Sequence, residues 1–515
     1  MSFTINVGDY LTNRAYLNPN KEAVFDVLAE RRFTFDQLNR RANQVGAALA
    51  ARGLGKGDRV AVLAYNGHEF LESFFGPAKR GMVIMPLNWR LTADELSFIL
   101  KDGGATAIVY DPDFADAVAD IRGRGDEGSD LRHYIELSDT PSDFASGYEA
   151  ALAEQDDVEP TDKAVSEDNL FIMYTSGTTG LPKGVVHTHE TLMWAVITGT
   201  NTADIHFSDR YLVLLPMFHV GALAPAIMCI YAGNTAVILR NFDPVRAWEL
   251  IQEEKINTSL AVPAMLNFML QVPDYQQYDW SSVRWIMSGA APVPVSTIKT
   301  YMALGIEILQ VYGLTESCGP GCLIGPDDAA NKIGSTGKSY FHTKVRLVDA
   351  EGNDVPPGEP GEVLIAGAHI MKEYWNRPDA TADTIRNGWL HTGDVAISDE
   401  EGFITIQDRI KDMIISGGEN VYPAEVENVL MQHPGVADAA VIGQESEKWG
   451  ESPLAIIVKN DADLAATDVL SYCDGKLARF KQPKAVEFVG EIPRNPTGKI
   501  LKRTLREVFP GPAAE

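Results

Sequence analysis

Small, hydroxyl-bearing and cationic side chains fill the stretch 174–184, which is Tyr-Thr-Ser-Gly-Thr-Thr-Gly-Leu-Pro-Lys-Gly. The apolar run 170–173 before it predicts a buried strand, so the stretch begins at a strand end, where nucleotide sites form in open α/β sheets. Its glycines let backbone amides approach an anion closely, and Lys183 supplies a mobile positive charge. The stretch therefore predicts a phosphate-binding loop, with a flexible Gly/Ser/Thr surface loop as the alternative.

Three further motifs place polar side chains where they could meet a nucleotide. Residues 312–316, Tyr-Gly-Leu-Thr-Glu, follow the apolar run 307–311 and bring an aromatic ring, a hydroxyl and a carboxylate to another strand end. Asp394 lies in a predicted turn, and an aspartate suits a ribose diol because it accepts two hydrogen bonds. Lys499 is predicted to be exposed in a turn near the C-terminus.

The phosphate loop is not a Walker motif. That motif requires Gly-Lys-Ser/Thr, whereas Lys183 lies between Pro182 and Gly184. The loop also carries no Gly-x-Gly-x-x-Gly fingerprint. We therefore expect a different mode of nucleotide binding.

Length and composition predict a large globular protein. The 515 residues exceed what one hydrophobic core usually supports, so about three domains are expected, or one large and one small. The 45% apolar and 22% charged content is typical of soluble globular proteins, and the net charge of −27 argues against binding nucleic acid or an anionic membrane surface. Four cysteines without metal-ligand spacing predict free thiols in a reducing compartment.

Targeting patterns are missing from both ends of the sequence, and the expected location is cytoplasmic. Residues 1–13 lack a secretory signal, and residues 510–515 lack a retention or peroxisomal tripeptide. Residues 211–233 carry no Asp, Glu, Lys or Arg and are about long enough to span a bilayer. Pro216 and Pro225 divide this segment, so we predict a strand, a loop and a short buried helix instead.

Apolar strands alternate with amphipathic helices over most of the chain, which predicts parallel α/β sheets. Thr34 and Gln37 are expected to form a capping box that begins the helix before Gly53. Residues 112–165 are acidic and weakly periodic, and 154–157 are interpreted as a solvated connection. From about residue 345 short strands and turns predict a smaller β-rich unit, and a domain boundary is predicted near 408–411.

Together these motifs resemble those of the AMP-forming acyl-CoA synthetases of the adenylate-forming superfamily, which also holds luciferases and the adenylation domains of peptide synthetases. The resemblance covers nearly the whole chain, with the motifs in family order. It implies an α/β fold in which residues 1–408 form a large N-terminal domain of two αβ sheet layers plus a β-barrel-like subdomain. Residues 409–515 would form a small, mobile α+β C-terminal domain with its hinge at Lys411.

The resemblance implies a role for each motif in joining a carboxylic acid to ATP. The residues implied to bind ATP are Thr175, Ser176, Gly177, Thr178, Thr179 and Lys183 for the β- and γ-phosphates, Gly289, Ala290, Ala291, Tyr312 and Gly313 for adenine, and Asp394 and Arg409 for ribose. The implied catalytic residues are Thr315 at the α-phosphate, Glu316 as the magnesium ligand and Lys499 at the carboxylate and α-phosphate. For each residue alone, a local role such as turn former or salt-bridge partner is the alternative.

The second implied half-reaction is attack of the CoA thiol on the acyl-AMP. Residues Gly417, Gly418 and Glu419 would line the pantetheine tunnel after the C-terminal domain rotates. Trp449, Phe480 and Lys481 match positions that contact the CoA nucleotide in some aryl-CoA ligases. A half-buried tryptophan and a core phenylalanine are equally good interpretations of the first two.

The wall of the acid pocket is implied to be Met217, Phe218, His219, Val220 and Gly221. These residues are apolar apart from His219, which is interpreted as a gate, with a packed histidine as the alternative. The pair Tyr312-Gly313 lacks the tryptophan of acetate-activating relatives, so a medium- or long-chain fatty acid or an aryl acid is expected.

Other acceptors and functions stay open at this point. An enzyme that passes its acyl group to a carrier protein or an amine would share the first half-reaction, and luciferase-type oxidation cannot be distinguished by motifs. A non-catalytic nucleotide-binding module would be expected to lose Lys499 or Glu316, and both are present. The sequence leaves the oligomeric state open, with a homodimer as one option.

Overall fold

The computed structural model describes residues 4–175, 182–291, 293–416, 419–446, 449–494 and 499–511. The strands are β1 (Glu22–Asp26), β2 (Arg31–Thr34), β3 (Arg59–Leu63), β4 (Val83–Pro86), β5 (Ala105–Tyr110), β6 (His133–Glu136), β7 (Ser146–Gly147), β8 (Asn169–Thr175), β9 (Lys183–Thr188), β10 (Arg210–Val213), β11 (Thr235–Ile238), β12 (Thr258–Ala261), β13 (Trp285–Ser288), β14 (Glu307–Tyr312), β15 (Cys322–Leu323), β16 (Lys338–Ser339), β17 (Lys344–Val348), β18 (Gly361–Ala366), β19 (Glu373–Tyr374), β20 (Ile385–Arg386), β21 (Trp389–Ser398), β22 (Ile404–Arg409), β23 (Ile414–Ser416), β24 (Glu419–Val421), β25 (Val436–Ser446), β26 (Gly450–Lys459) and β27 (Ala485–Val489). The α-helices are α1 (Asp9–Leu17), α2 (Phe35–Ala51), α3 (His68–Lys79), α4 (Ala93–Gly103), α5 (Ala115–Gly123), α6 (Tyr148–Ala153), α7 (His189–Thr202), α8 (Val220–Ala232), α9 (Pro244–Glu253), α10 (Pro263–Leu270), α11 (Val295–Ala303), α12 (Pro326–Ala329), α13 (Pro378–Thr384), α14 (Pro423–Leu430), α15 (Ala466–Tyr472) and α16 (Lys502–Val508).

Two large sheets form the main body of the chain. Within the described ranges one sheet has nine strands in the order β16-β15-β14-β13-β12-β10-β11-β1-β2, and the other has eight in the order β19-β9-β8-β4-β3-β5-β6-β7. The strands from β14 to β1 and from β8 to β7 run parallel, while the outer pairs are antiparallel. The alternation of strands and helices therefore predicted the parallel sheets correctly.

A hydrophobic core joins the two sheets through the helices between them. It contains Val24 of β1 and Phe171 of β8, one from each sheet, together with Leu38 of α2, Phe74 of α3 and Ile227 of α8. Each of these side chains is buried. The two sheets are thus packed on one shared set of helices, which fixes the positions of their strand ends.

Two smaller sheets follow. Strands β17, β18, β20, β21 and β22 form an antiparallel sheet, which agrees with the β-rich unit predicted from about residue 345. Strands β23 to β27 form the sheet of the C-terminal part, and α14 and α15 contribute Val426 and Val469 to a separate core beneath it. The fold is a mixed α/β fold with a large N-terminal part and a smaller C-terminal part. The division at 408/409, which falls at the end of β22, stays a prediction.

Local signals predicted some elements to the residue. The capping box is confirmed, because the Gln37 backbone amide donates to Thr34 Oγ1 at 3.3 Å and the Thr34 amide donates to Gln37 Oε1 at 2.9 Å. Residues 211–233 contain the expected strand and helix, β10 and α8. None of the described helices is both long and apolar enough to cross a bilayer. The cytoplasmic location and the oligomeric state stay predictions.

One local prediction is wrong. Asp394 lies inside β21 and not in a turn, because Asp394 pairs with Arg409 of β22 across an antiparallel register. Pairing with a distant strand outweighs the local composition here. Residues 154–157 lie outside regular structure, as expected for a connection, while the surrounding segment 112–165 contains α5, α6, β6 and β7.

Candidate active site

The ends of the predicted phosphate loop lie on neighbouring strands. Strand β8 ends at Thr175 and β9 begins at Lys183, and these two residues are partners in the antiparallel pair. The register therefore brings the two ends of the loop together at one end of the eight-stranded sheet. The intervening predicted ligands, Ser176, Gly177, Thr178 and Thr179, lie outside the described residues.

Tyr374 links this strand pair to the predicted magnesium ligand. It lies on β19, opposite Val185 of β9. Its hydroxyl donates to Glu316 Oε1 at 2.7 Å, and the Nζ of Lys183 lies 5.1 Å from the centre of its ring. Burial, and then the charge of Glu316, raises the pKa of Tyr374 far above its ordinary value, so the hydroxyl stays a donor. The sequence motifs missed Tyr374, because its link to Glu316 comes from strand pairing that no motif indicates.

Thr315 and Glu316 lie in a short 3₁₀ helix (Thr315–Ser317) directly after β14. The Met371 backbone amide donates to the Glu316 carbonyl at 2.8 Å, which ties this turn to the segment before β19. The turn therefore depends on contacts with distant parts of the chain, since three residues of 3₁₀ helix supply few hydrogen bonds of their own.

The loop after β13 lies against the end of β14. A Cβ atom on Gly289 would meet the Val311 carbonyl oxygen at 2.4 Å, and, within the turn after β14, one on Gly313 would overlap the Gly319 carbonyl oxygen at 1.4 Å. Ala290 has a positive φ of 68°, and Ala291 follows it half-buried. The predicted adenine residues are thus brought beside one another by backbone packing that leaves no room for a side chain at either glycine.

Tyr312, Asp394 and Arg409 come together where the nine-stranded sheet meets the antiparallel sheet. The Tyr312 hydroxyl donates to Asp394 Oδ2 at 2.7 Å. Arg409 Nε lies 3.0 Å from Asp394 Oδ1, close enough for an ion pair although not aligned as a hydrogen bond. Asp394 is only 5% exposed, so its carboxylate is oriented by these two partners. The structure therefore brings the predicted ribose and adenine residues into one cluster.

Lys499 lies near this cluster and is half-buried, so its predicted exposure is wrong. Burial, and then the neighbouring charge of Arg409, lowers the pKa of Lys499 to about 8, while Asp394, Asp412 and Asp408 act in the opposite direction. The fold thus places the ammonium group among the charges that surround the predicted ribose site. An amine with this pKa changes its charge close to neutral pH.

Ion pairs hold the chain on both sides of Lys499. The Arg494 guanidinium lies 2.7 Å from Asp438 Oδ1, within the C-terminal part. Lys502 Nζ lies 3.2 Å from Asp408 Oδ2 and 3.1 Å from Glu427 Oε1, and Lys502 is only 8% exposed. Asp408 directly precedes Arg409, so Lys502 connects the chain beyond Lys499 to the strand that carries the arginine predicted to bind ribose.

The predicted hinge residue lies immediately after that strand. Lys411 is in a 3₁₀ helix (Ile410–Asp412) that follows β22, and burial lowers its pKa. Arg506 of α16 donates to Asp412 Oδ1 at 3.0 Å. The position of Lys411 between the two parts of the fold agrees with a hinge, and the hinge itself stays a prediction.

The predicted acid pocket has an apolar wall. Met217 and Phe218 are buried, and Val220 and Gly221 begin helix α8 half-buried. The His219 ring lies 4.4 Å from the Phe218 ring, and its Nε2 is buried without a hydrogen-bond partner among the described residues. Burial, and then the nearby Arg90, lowers the pKa of His219 to about 3, so the ring is neutral at ordinary pH.

The described residues that are predicted to meet CoA lie on several segments of the C-terminal part. Glu419 pairs with Ser416 between β23 and β24. Gly417 and Gly418 lie outside the described residues. Trp449 is 44% exposed, and Phe480 packs against the C-terminal core. Lys481 Nζ donates to both Glu425 carboxylate oxygens, at 2.8 and 2.7 Å, so this lysine already has an anionic partner.

Comparisons with known proteins show the family to which the chain belongs. Residues 11–375 match the family model described as AMP-binding enzyme, and residues 425–499 match the AMP-binding enzyme C-terminal domain. The chain is 45% identical to the long-chain-fatty-acid–CoA ligase FadD13 of Mycobacterium tuberculosis, over 98% of each chain. It is 39% identical to the fatty acid–[acyl-carrier-protein] ligase ScoC of Streptomyces coeruleorubidus, over 95% of this chain and 94% of that one.

A solved structure shows the same fold at lower identity. The anthranilate CoA ligase AuaEII in complex with anthranoyl-AMP superposes with a TM-score of 0.92 and 29% identity, over 99% of this chain and 98% of that one. The family resemblance of the motifs is confirmed. The chain therefore belongs to the AMP-binding enzyme family and is an AMP-forming acyl-CoA synthetase of the adenylate-forming superfamily.

Proposed function

We propose that this enzyme activates a medium- or long-chain fatty acid or an aryl carboxylic acid to acyl-AMP with magnesium and ATP, and then transfers the acyl group to CoA. The observation that carries the proposal is the convergence of Tyr312, Asp394, Arg409 and Lys499 beside the turn that holds Thr315 and Glu316. This convergence supports a site in which a ribose acceptor, an ammonium group and a carboxylate would lie close to one another.

In the first half-reaction a carboxylate oxygen attacks the α-phosphorus and pyrophosphate leaves. Two anions must meet, so the site has to neutralise charge and align the attack. Lys499 and Thr315 would contact the carboxylate and the α-phosphate. A lysine about 4 Å from the developing charge contributes roughly 4 kcal/mol at an effective dielectric near 20, which is about a thousandfold in rate.

The departing pyrophosphate would be held by the loop between β8 and β9. Thr175 and Lys183 stand at the ends of this loop, and Ser176, Gly177, Thr178 and Thr179 lie within it. In the proposed reaction the bond between the α- and β-phosphates of ATP is cleaved. The absence of the Walker Gly-Lys-Ser/Thr motif fits this different mode of ATP binding. The loop then binds the part of ATP that leaves.

The side chain of Glu316 suits a magnesium ion. Its Oε1 accepts from Tyr374, and among the described residues its Oε2 has no hydrogen-bond partner, so Oε2 could meet a hard cation, which prefers carboxylate and phosphate oxygens. A bound magnesium ion would neutralise phosphate charge during the attack. Tyr374 would hold the carboxylate in the orientation that this role requires.

In the second half-reaction the CoA thiol attacks the acyl carbon, and AMP leaves with the carboxylate-derived oxygen. We assign Gly417, Gly418 and Glu419 to the pantetheine side and Trp449, Phe480 and Lys481 to the CoA nucleotide. Because Lys481 is bound to Glu425 here, its assignment requires that this ion pair opens when the part after Lys411 turns.

The apolar wall around His219 favours an apolar acid. Met217 and Phe218 offer no charge to a substrate amine, and the neutral His219 ring, with Val220 and Gly221 beside it, fits a gate at the pocket entrance. The relatives include both fatty-acid and aryl-acid ligases, so both substrate classes belong in the test.

Transfer to a carrier protein is the second candidate, and it is favoured by the similarity to ScoC. The two candidates share adenylation and differ only in the acceptor. A panel of fatty and aryl acids should be tested for release of AMP and pyrophosphate with ATP and magnesium. Consumption of free CoA thiol supports the CoA ligase, whereas acyl-AMP formation without thiol consumption supports a carrier-protein or amine acceptor.

A further inference from the structure

Two buried histidines hold the turn that carries Thr315 and Glu316. His187 lies on β9, and His369 lies in the segment before β19. Both side chains are fully buried, with 0% exposure. Each ring contacts a backbone carbonyl of the 3₁₀ turn (Thr315–Ser317) on one side and a threonine hydroxyl on the other.

The His187 ring joins the turn to helix α7. Its Nε2 lies 2.7 Å from the Thr315 carbonyl oxygen, and its Nδ1 lies 3.1 Å from Thr191 Oγ1. A carbonyl can only accept, so Nε2 carries the proton and Nδ1 accepts from the threonine. Burial lowers the pKa of His187 to about 4, which keeps the ring in this neutral form.

The His369 ring makes the same kind of bridge with its nitrogens exchanged. Its Nδ1 lies 2.9 Å from the Ser317 carbonyl oxygen, and its Nε2 lies 2.8 Å from Thr343 Oγ1. Burial also lowers the pKa of His369. The carbonyls of Thr315, Glu316 and Ser317 therefore accept in sequence from His187, from the Met371 backbone amide and from His369.

We propose that His187 and His369 are positioning residues that fix the turn, so that the Thr315 hydroxyl and the Glu316 carboxylate face ATP in a single orientation. The turn ends at Cys318 with a positive φ of 56°, a conformation that a non-glycine residue rarely adopts without support. Outside donors supply that support. Misplacing a catalytic group by about 1 Å costs roughly a hundredfold in rate. This inference rests on the proposed adenylation reaction.

The two rings differ in which nitrogen donates, and this difference defines the test. The amide nitrogen of glutamine reaches about as far as Nε2, whereas that of asparagine reaches about as far as Nδ1. His187→Gln and His369→Asn should therefore keep the donor to the turn, while His187→Asn and His369→Gln should lose it. Acid-dependent ATP–pyrophosphate exchange and melting temperature are measured for all four variants.

We expect the rate of ATP–pyrophosphate exchange to depend on whether the amide nitrogen of the variant can reach the carbonyl of the turn. The rate should not depend on the polarity of the new side chain alone. The turnover number of H187N and H369Q should fall about tenfold or more, with KM for the acid little changed, while H187Q and H369N keep most of the wild-type rate. The proposal is overturned if the two members of each pair lose exchange equally, or if exchange follows melting temperature across all four variants.

His189 provides a matched control. It is also fully buried, at the start of α7, and its Nδ1 accepts from the Val7 backbone amide at 3.0 Å instead of contacting the turn. H189N can keep an acceptor for the Val7 amide and H189Q cannot, so H189Q should lower the melting temperature more, while neither variant should lose exchange. A reach-dependent loss at His189 would show that the amide pairs report on packing alone.

Failure of the proposed reaction can be recognised separately. If the wild-type enzyme exchanges pyrophosphate with none of the acids, the proposed function fails and calorimetric ATP affinity becomes the readout. Weaker ATP binding confined to H187N and H369Q then supports positioning of the turn, and equal affinity in all four variants contradicts it.

Discussion

The Tyr312 hydroxyl donates to Asp394 Oδ2 at 2.7 Å and thereby joins the nine-stranded sheet to the antiparallel sheet. Arg409 lies on the other carboxylate oxygen, so the two sheets and the end of β22 meet at one carboxylate. The proposed ribose site is thus oriented before ATP binds, and its orientation depends on strands more than 80 residues apart in sequence.

Removing this hydroxyl should weaken nucleotide binding with little effect on chemistry. In Tyr312→Phe the Asp394 carboxylate loses a hydrogen bond worth about 1.5 kcal/mol, so we expect roughly tenfold weaker ATP binding by calorimetry. The turnover number at saturating ATP should stay within about threefold. A large fall in turnover with unchanged affinity would argue against this role.

Adding a methyl group at Gly289 should disrupt the adenine side. The new Cβ would meet the Val311 carbonyl oxygen at 2.4 Å, so the loop after β13 must move away from β14. We expect ATP affinity to fall about tenfold or more in Gly289→Ala, since such overpacking costs about 1–3 kcal/mol. Gly123→Ala, where a Cβ atom meets nothing within 4 Å, is the matched control and should bind ATP normally.

The bond between Tyr374 and Glu316 should affect the magnesium requirement. Tyr374→Phe removes a donor from the carboxylate, at a cost of about 1 kcal/mol in orientation. The magnesium concentration for half-maximal AMP release should rise about fivefold at fixed ATP. Tyr301→Phe is the control, because its buried hydroxyl donates to the Leu266 carbonyl at 2.9 Å, away from this cluster. An equal shift in both variants would contradict the assignment.

The pKa of Lys499 predicts how adenylation depends on pH. Its pKa is lowered to about 8, and the protonated form is the one that stabilises developing negative charge. The adenylation rate should therefore be maintained below pH 8 and fall as pH rises through this value. Lys499→Arg stays protonated, so this fall should disappear even though its maximal rate is lower. Pyrophosphate exchange between pH 6 and 10 measures both profiles, and a fall above pH 8 that persists in the arginine variant would exclude Lys499 as its source.

Local patterns in the sequence predicted the elements whose determinants are local. The Thr34–Gln37 capping box is observed at the predicted residues, because capping depends on neighbours in sequence. Asp394 is predicted to lie in a turn, and Gly393 directly before it does have a positive φ of 69°. Pairing with β18 and β22 nevertheless keeps this residue within a strand.

The site residues that the sequence did not predict depend on contacts between distant segments. The proposed roles of Tyr374, His187 and His369 rest on the register of β19 on β9 and on the packing of the 3₁₀ turn, and the sequence does not reveal either. The predicted exposure of Lys499 is wrong for the same reason, because the fold brings the charges of Arg409, Asp394, Asp408 and Asp412, all distant in sequence, close to its ammonium group. The motifs predicted the types of residue in the candidate site. The tertiary contacts determine the positions and hydrogen-bond partners of their side chains.

The most direct test of the account follows one oxygen atom. A substrate acid labelled with oxygen-18 in its carboxylate is incubated with the enzyme, ATP, magnesium and CoA. The masses of AMP and pyrophosphate are then measured by mass spectrometry. If the carboxylate attacks the α-phosphorus and the thiol then displaces AMP, one labelled oxygen must appear in AMP and none in pyrophosphate. Unlabelled AMP, or label in pyrophosphate, would contradict an acyl-adenylate intermediate.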